Sequence, residues 1–106
     1  VNAKLKEVLD ELRGALSDHY GERLSKLVLF GSQARGDAEE DSDIDVLVVL
    51  KGDVTETEEL EATNKLTAAI SLKHDVVVSC VFVSEARYLT HRSPLLLNVR
   101  REGVQL

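Results

Sequence analysis

The sequence contains no methionine and no tryptophan, and only one proline, one cysteine, two tyrosines and two phenylalanines in 106 residues. The lone Cys80 excludes an internal disulfide and fits a reducing, cytoplasmic setting. Tyr20, Phe30, Phe82 and Tyr88 are too few and too scattered to form a base-stacking surface. No apolar run approaches the roughly 20 residues that span a bilayer. No charged-then-apolar leader is visible either. The chain starts at Val1, so removal of an initiator residue or tag is expected. A basic excess is also missing. Thirteen Lys and Arg stand against 19 Asp and Glu, a net charge of −6. That balance argues against direct nucleic-acid binding, which depends on neutralising phosphates.

What is present is uneven. From Asp37 to Glu61 one lysine faces eleven acids, and from Arg87 to Arg101 there are four arginines and no acid. The length fits one domain over residues 1–106. Leu5, Val8, Leu9, Leu12 and Leu16 follow helical spacing within Asn2 to Tyr20, and Gly21 ends that helix. Leu27 to Phe30 is a short, wholly apolar strand stopped by Gly31. Ser32 to Arg35 starts a short helix or turn, and Gly36 closes it. Asp43 to Leu50 is the second strand. After a turn at Gly52 and Asp53, a capping box at Asp53/Glu56 or Thr55/Glu58 opens a helix to about Leu72, with Leu60, Leu66 and Ile70 inward. Asp75 to Val83 is the third strand. Ser84 caps a short helix to about Leu89, Pro94 opens another to Glu102, and Val104 to Leu106 adds an edge strand. The order predicts an α/β (α+β) fold with a small mixed β-sheet flanked by helices.

One stretch carries the chemistry. Residues two apart in a strand share a face, about 7 Å apart along the chain. Asp43 and Asp45 therefore point the same way while Ile44 turns into the core. Two such carboxylates repel each other, and a divalent cation removes the conflict. Asp75, opening another Val-rich strand, is the candidate third carboxylate, and three can hold a pair of metals for in-line phosphoryl displacement. Gly31 and Ser32, between a strand and a helical turn, offer backbone N–H groups and a hydroxyl to a phosphate. Each feature has a plainer reading alone: a turn, a solvated strand start, a polar residue before a strand. Their combination is the informative signal. Arg35 is placed either to reach a phosphate or to pair with Asp37 or Glu39. His74 reads either as a group behind Asp75 or as an ordinary helix-end histidine. Cys80 reads as a small buried side chain.

Gly31-Ser32, ten residues, then Asp43-x-Asp45 resembles the signature of the DNA polymerase beta-like nucleotidyltransferases. The strings GSQARG and SDIDVLV, with HDVVV and the terminal SPLLLNVRREGVQL, are similar to the minimal nucleotidyltransferase (MNT) group. The resemblance implies that Asp43, Asp45 and Asp75 bind two Mg2+ ions, that Asp75 helps activate the attacking hydroxyl, and that Ser32 holds the phosphates of ATP. It further implies an antitoxin that transfers AMP to a tyrosine hydroxyl of a HEPN-type toxin. Its partner-facing surface is expected at the arginine-rich end, Arg87 to Arg101. Two alternatives stay open: an antitoxin that neutralises by binding alone, and a nucleotidyltransferase acting on a small molecule. Homo-oligomerisation is left open too.

Overall fold

The computed structural model describes residues 3–39 and 42–106. Helix α1 (Ala3–Tyr20) leads through a 3-10 turn (Gly21–Arg23) into β1 (Leu24–Phe30). The chain continues as α2 (Ser32–Arg35), β2 (Ile44–Leu50), α3 (Glu56–His74), β3 (Val78–Ser84), α4 (Glu85–Thr90), α5 (Pro94–Glu102) and β4 (Val104–Gln105). The sheet order is β3-β2-β1-β4. β1 runs antiparallel to β2 and to β4, whereas β2 and β3 are parallel. The connections explain this mixture. A short link returns β1 directly into an antiparallel neighbour, and a parallel neighbour needs a crossover, here α3. The expected fold class is the one observed.

The core has two faces because β2 is apolar at both parities. Ile44, Val46, Val48 and Leu50 join Leu27, Leu29 and Phe82 beneath α1 and Ile70 of α3. Leu47 and Val49 turn the other way, onto Val28, Val83, and Leu96 and Val99 of α5. The five apolar positions expected on α1 are all buried. Asn2, expected to begin that helix, lies outside the described residues. Ser84 and Ser93 cap α4 and α5 by accepting from the N–H groups of Arg87 and Leu96. At Gly103 a Cβ would lie 2.6 Å from Val28 Cγ1, so a side chain there would push α5 off the sheet.

Four expectations need correction. β1 starts at Leu24, because its ladder with β2 reaches Leu50. Thr55 starts α3 without a side-chain cap, so the capping box does not form. Leu60 is 41% exposed rather than inward. The inward face carries Glu59 and Thr63, because Glu59 accepts from Tyr20 Oη at 2.9 Å and pairs with Arg23 Nη1 at 3.1 Å. That partnership lets a carboxylate occupy a position the apolar periodicity would give to leucine, and it pushes the Tyr20 hydroxyl well above its ordinary pKa, through burial first and Glu59 second. Finally, α3 continues to His74, and β3 begins at Val78 rather than Asp75.

Candidate functional site

Three chain segments meet where β1 ends and β2 begins. Gly31 leaves β1 with φ 74° and ψ −158°, a conformation that disfavours any side chain, and starts α2. Its carbonyl accepts from the N–H groups of Ala34 and Arg35, both at 3.1 Å. The N–H groups of Ser32 and Gln33 precede these first helical bonds and are the orphan donors of the helix start. Gly36, in the left-handed region, closes α2 with its N–H on the Ser32 carbonyl at 3.0 Å. Gln33 Nε2 donates to the Ser42 carbonyl at 3.1 Å and ties α2 to the approach of β2.

The strand then delivers its acids. Asp43 is exposed just before β2, and Asp45 is half-buried as its second residue. A Cβ built on Gly31 would lie 2.5 Å from Asp45 Oδ2. The Asp45 carboxylate thus occupies the space that any other residue at 31 would need. Burial raises the pKa of Asp45, and the neighbouring Asp43 carboxyl raises it further; Arg35 opposes both. Arg35 itself pairs with Asp37 at 3.1 Å and Glu102 at 3.2 Å. Asp37 foremost raises its pKa. The surface pairing expected for Arg35 is therefore made, with Glu102 of α5 added, while its charge still acts on Asp45.

Asp75 does not join this pair. It is the exposed C-cap of α3, in the left-handed region at φ 52° and ψ 51°, with its N–H on the Ser71 carbonyl. Among the described residues, no group of three His, Cys, Asp or Glu side chains is close enough to hold a metal ion. The cause lies in the end of α3. His74 Nε2 and Lys73 Nζ reach Glu11 of α1 at 3.0 and 2.5 Å, which holds the last helical turn against α1. The chain must reverse at Asp75, and two further residues pass before β3 pairs. His74 accordingly belongs to the α1–α3 contact and not to the aspartate pair.

The residue that β3 places beside Asp45 is Ser79, its partner in the parallel register. Directly paired residues share a sheet face. The flanking Val78 and Cys80 pack with Ile44 and Val46 beneath α1, so Ser79 turns with Asp45 to the opposite side. Sequence reading missed Ser79, since a strand's register against a distant neighbour leaves no local signal. Cys80, expected to be buried, is partly buried against the α1-side core, and burial pushes its thiol up to about 12. A cavity of about 350 Å3 lies nearby, lined by Leu5, Val8, Gln33, Ser42, Ile44 and Val76. Ile44 puts it on the α1 side of the sheet, away from the Asp45 carboxylate.

Two carboxylates on one face, with a glycine cradle directly beneath one of them, fit one divalent cation whose remaining ligands come from phosphate oxygens and water. A mixed sheet, a Gly-Ser helix start and an Asp-x-Asp strand start at one sheet end together define a class of α/β protein that handles nucleotides. The chain belongs to the nucleotidyltransferase domain family, whose model matches residues 9–96. It is 30% identical over 100 residues to a Methanocaldococcus jannaschii protein provisionally named a protein adenylyltransferase, covering 94% of this chain and 96% of that one. A second protein of that organism, with the same provisional name, is 40% identical over 80 residues, covering 76% and 74%. Among solved structures, one described as a minimal nucleotidyltransferase superposes with a TM-score of 0.58 at 29% identity, over 100% of this chain and 97% of the other. A toxin–antitoxin structure with AMP-PNP gives 0.65 at 24% identity over 91% and 69%. An MNT antitoxin bound to a tri-AMPylated HEPN toxin of Shewanella oneidensis gives 0.56 at 21% over 92% and 68%. The last two likenesses are of fold. No helix among the described residues is long and apolar enough to cross a membrane.

Proposed function

We propose that this nucleotidyltransferase moves AMP from ATP onto a hydroxyl of a partner protein, a tyrosine of a HEPN-type toxin, and so acts as that toxin's antitoxin. The observation that carries the reading is the Asp45 carboxylate seated on Gly31, with Asp43 on the same face and the α2 start alongside. In this reading the N–H groups of Ser32 and Gln33 and the Ser32 hydroxyl hold the nucleotide phosphates, and Arg35 supplies positive charge at the rim. Asp43 and Asp45 hold magnesium, which when bound offsets the negative charge gathered on the phosphates. The acceptor oxygen bonds to the α-phosphorus, the bond from that phosphorus to the α–β bridging oxygen breaks, pyrophosphate departs and the hydroxyl proton passes to solvent.

The provisional names of the archaeal relatives and the AMPylated toxin beside a structural neighbour support this choice of acceptor. The surface that receives the partner is α4 and α5. Arg87, Arg92, Arg100 and Arg101 lie there on the same segment as the exposed Leu89, Leu95 and Leu97. The test combines protein, toxin, ATP and magnesium and weighs the toxin by mass spectrometry. The toxin is expected to gain AMP, and to gain none with the Asp43→Asn/Asp45→Asn variant. Unchanged modification by that variant refutes the site.

A second reading, neutralisation by binding alone, draws support from the displacement of Asp75. Full protection from the toxin by the double variant, without ATP, favours it.

A further inference from the structure

We infer that Ser79, and not Asp75, is the third residue of this chain to face the nucleotide beside Asp43 and Asp45, so that the site takes one divalent cation instead of a pair. The inference deepens the reading above and rests on it for the identity of the ligand. Its basis is register. Along β2, Asp45 is paired on one side with Phe30 of β1 and on the other with Ser79 of β3. All three residues therefore lie across one line of the sheet and point to one face. The following line, Val28, Leu47 and Val81, packs beneath α4 and α5 and confirms the facing. A side chain at 79 is the one on β3 that reaches the space in front of Asp45.

That side chain is a hydroxyl, which is neutral and a weaker metal ligand than a carboxylate. Ser79 belongs through its backbone to the ladder with β2, while its hydroxyl takes no part in a side-chain hydrogen bond among the described residues. It is half-buried on the outermost strand, so the space beside it is open to a ligand. Asp75 is four residues earlier, in a left-handed turn beyond the end of β3, and its side chain is outside the sheet's alternation altogether. A cation held by Asp43 and Asp45 needs no third carboxylate, since phosphate oxygens and waters complete its shell. A second cation has no carboxylate left to hold it. The acceptor hydroxyl accordingly gives up its proton without a carboxylate base from β3.

The test is electron paramagnetic resonance of the full chain with Mn2+ and a non-hydrolysable ATP analogue, with no partner present. The wild type is expected to bind one Mn2+ per chain with an uncoupled spectrum. Asp75→Asn leaves both unchanged. Ser79→Asp places a carboxylate beside Asp45 and raises the count to two, with the dipolar broadening of ions about 4 Å apart; Ser79→Ala stays at one. A coupled pair in the wild type, or loss of Mn2+ in Asp75→Asn, overturns the inference whether or not Ser79→Asp folds. A folded Ser79→Asp that still binds one ion overturns it as well. Because no toxin enters the measurement, failure of AMP transfer to the toxin leaves the count untouched, and the two readings fail separately.

Discussion

Gly31 leaves no room for a side chain beside Asp45. A methyl group at 31 meets both a left-handed backbone and the Asp45 carboxylate 2.5 Å away. Gly31→Ala is expected to cost about 1–3 kcal/mol in denaturant unfolding and to weaken nucleotide binding in the same protein, because the carboxylate must swing out of its seat. Asp45 also carries a pH signature. Its raised pKa means that the folded protein holds this proton more tightly than the unfolded chain does. The contribution to stability is complete below the ordinary carboxylate pKa and is lost as pH rises through the raised value. Metal-free Asp45→Asn is therefore expected to melt higher than wild type at pH 7 and to lose that advantage in acid, as thermal melts in EDTA will show. The placement of Gly31, Ser32, Asp43 and Asp45 at one end of the sheet was legible in the sequence because their geometry is local: a strand end, a tight turn and alternation by two. Asp75, expected to open the third strand, instead caps α3, and that difference has a complementary reason. Whether an acid after a helix belongs to the next strand depends on where the helix stops, and here the last turn, with Lys73 and His74 on Glu11 of α1, runs on to a left-handed Asp75.

The helices show how tertiary partners override pattern. The stripe on α1 is uniformly apolar, and all of it is buried as its spacing predicts. The corresponding stripe on α3 is interrupted by Glu59, whose place among buried residues is set by Tyr20 at the end of α1 and Arg23 of the 3-10 turn that follows. Arg23 also donates to the carbonyls of Lys51 and Asp53, at 3.2 and 2.6 Å, so one guanidinium joins the 3-10 turn before β1, the β2–α3 connection and α3. No periodicity argument can see such a junction, since its members are polar and distant in sequence. Removing its parts should be unequal. Tyr20→Phe leaves Glu59 its ion pair and is expected to cost about 1 kcal/mol in urea unfolding. Arg23→Ala strips the charge partner from a carboxylate that is 8% exposed, and is expected to cost more, about 1–3 kcal/mol. The reverse order would show that the hydroxyl and not the guanidinium holds α3 in place.

For the whole molecule, charge and shape divide the surface. In sequence the acids gather between Asp37 and Glu61, while Arg87 to Arg101, over α4 and α5, intersperses arginines with the exposed Leu89, Leu95 and Leu97. Some of those arginines are already engaged: Arg100 lies 5.5 Å over the Tyr88 ring and donates to the Tyr88 carbonyl, and Arg101 donates to Asn98 Oδ1 at 2.5 Å. Exposed Leu97 and Arg92 are the better candidates for partner contact. Leu97→Asp with Arg92→Glu is expected to weaken toxin binding by about tenfold or more in calorimetry, as loss of a binding hot spot does, and to leave Mn2+–nucleotide binding unchanged. A loss of both would make α4 and α5 part of the scaffold and not a contact surface. The antiparallel β1–β2 pair has a consequence for the order in which this protein acquires its activity. Gly31, Ser32, Asp43 and Asp45 all lie on β1, β2 or the connection of residues 31–43 between them, so closing that one loop brings them together, and closure entropy grows only slowly with loop length. Pairing of two sequence-adjacent strands is thus sufficient to bring Gly31 and Asp45 together, and the crossover helix and β3 are added to an edge that already exists.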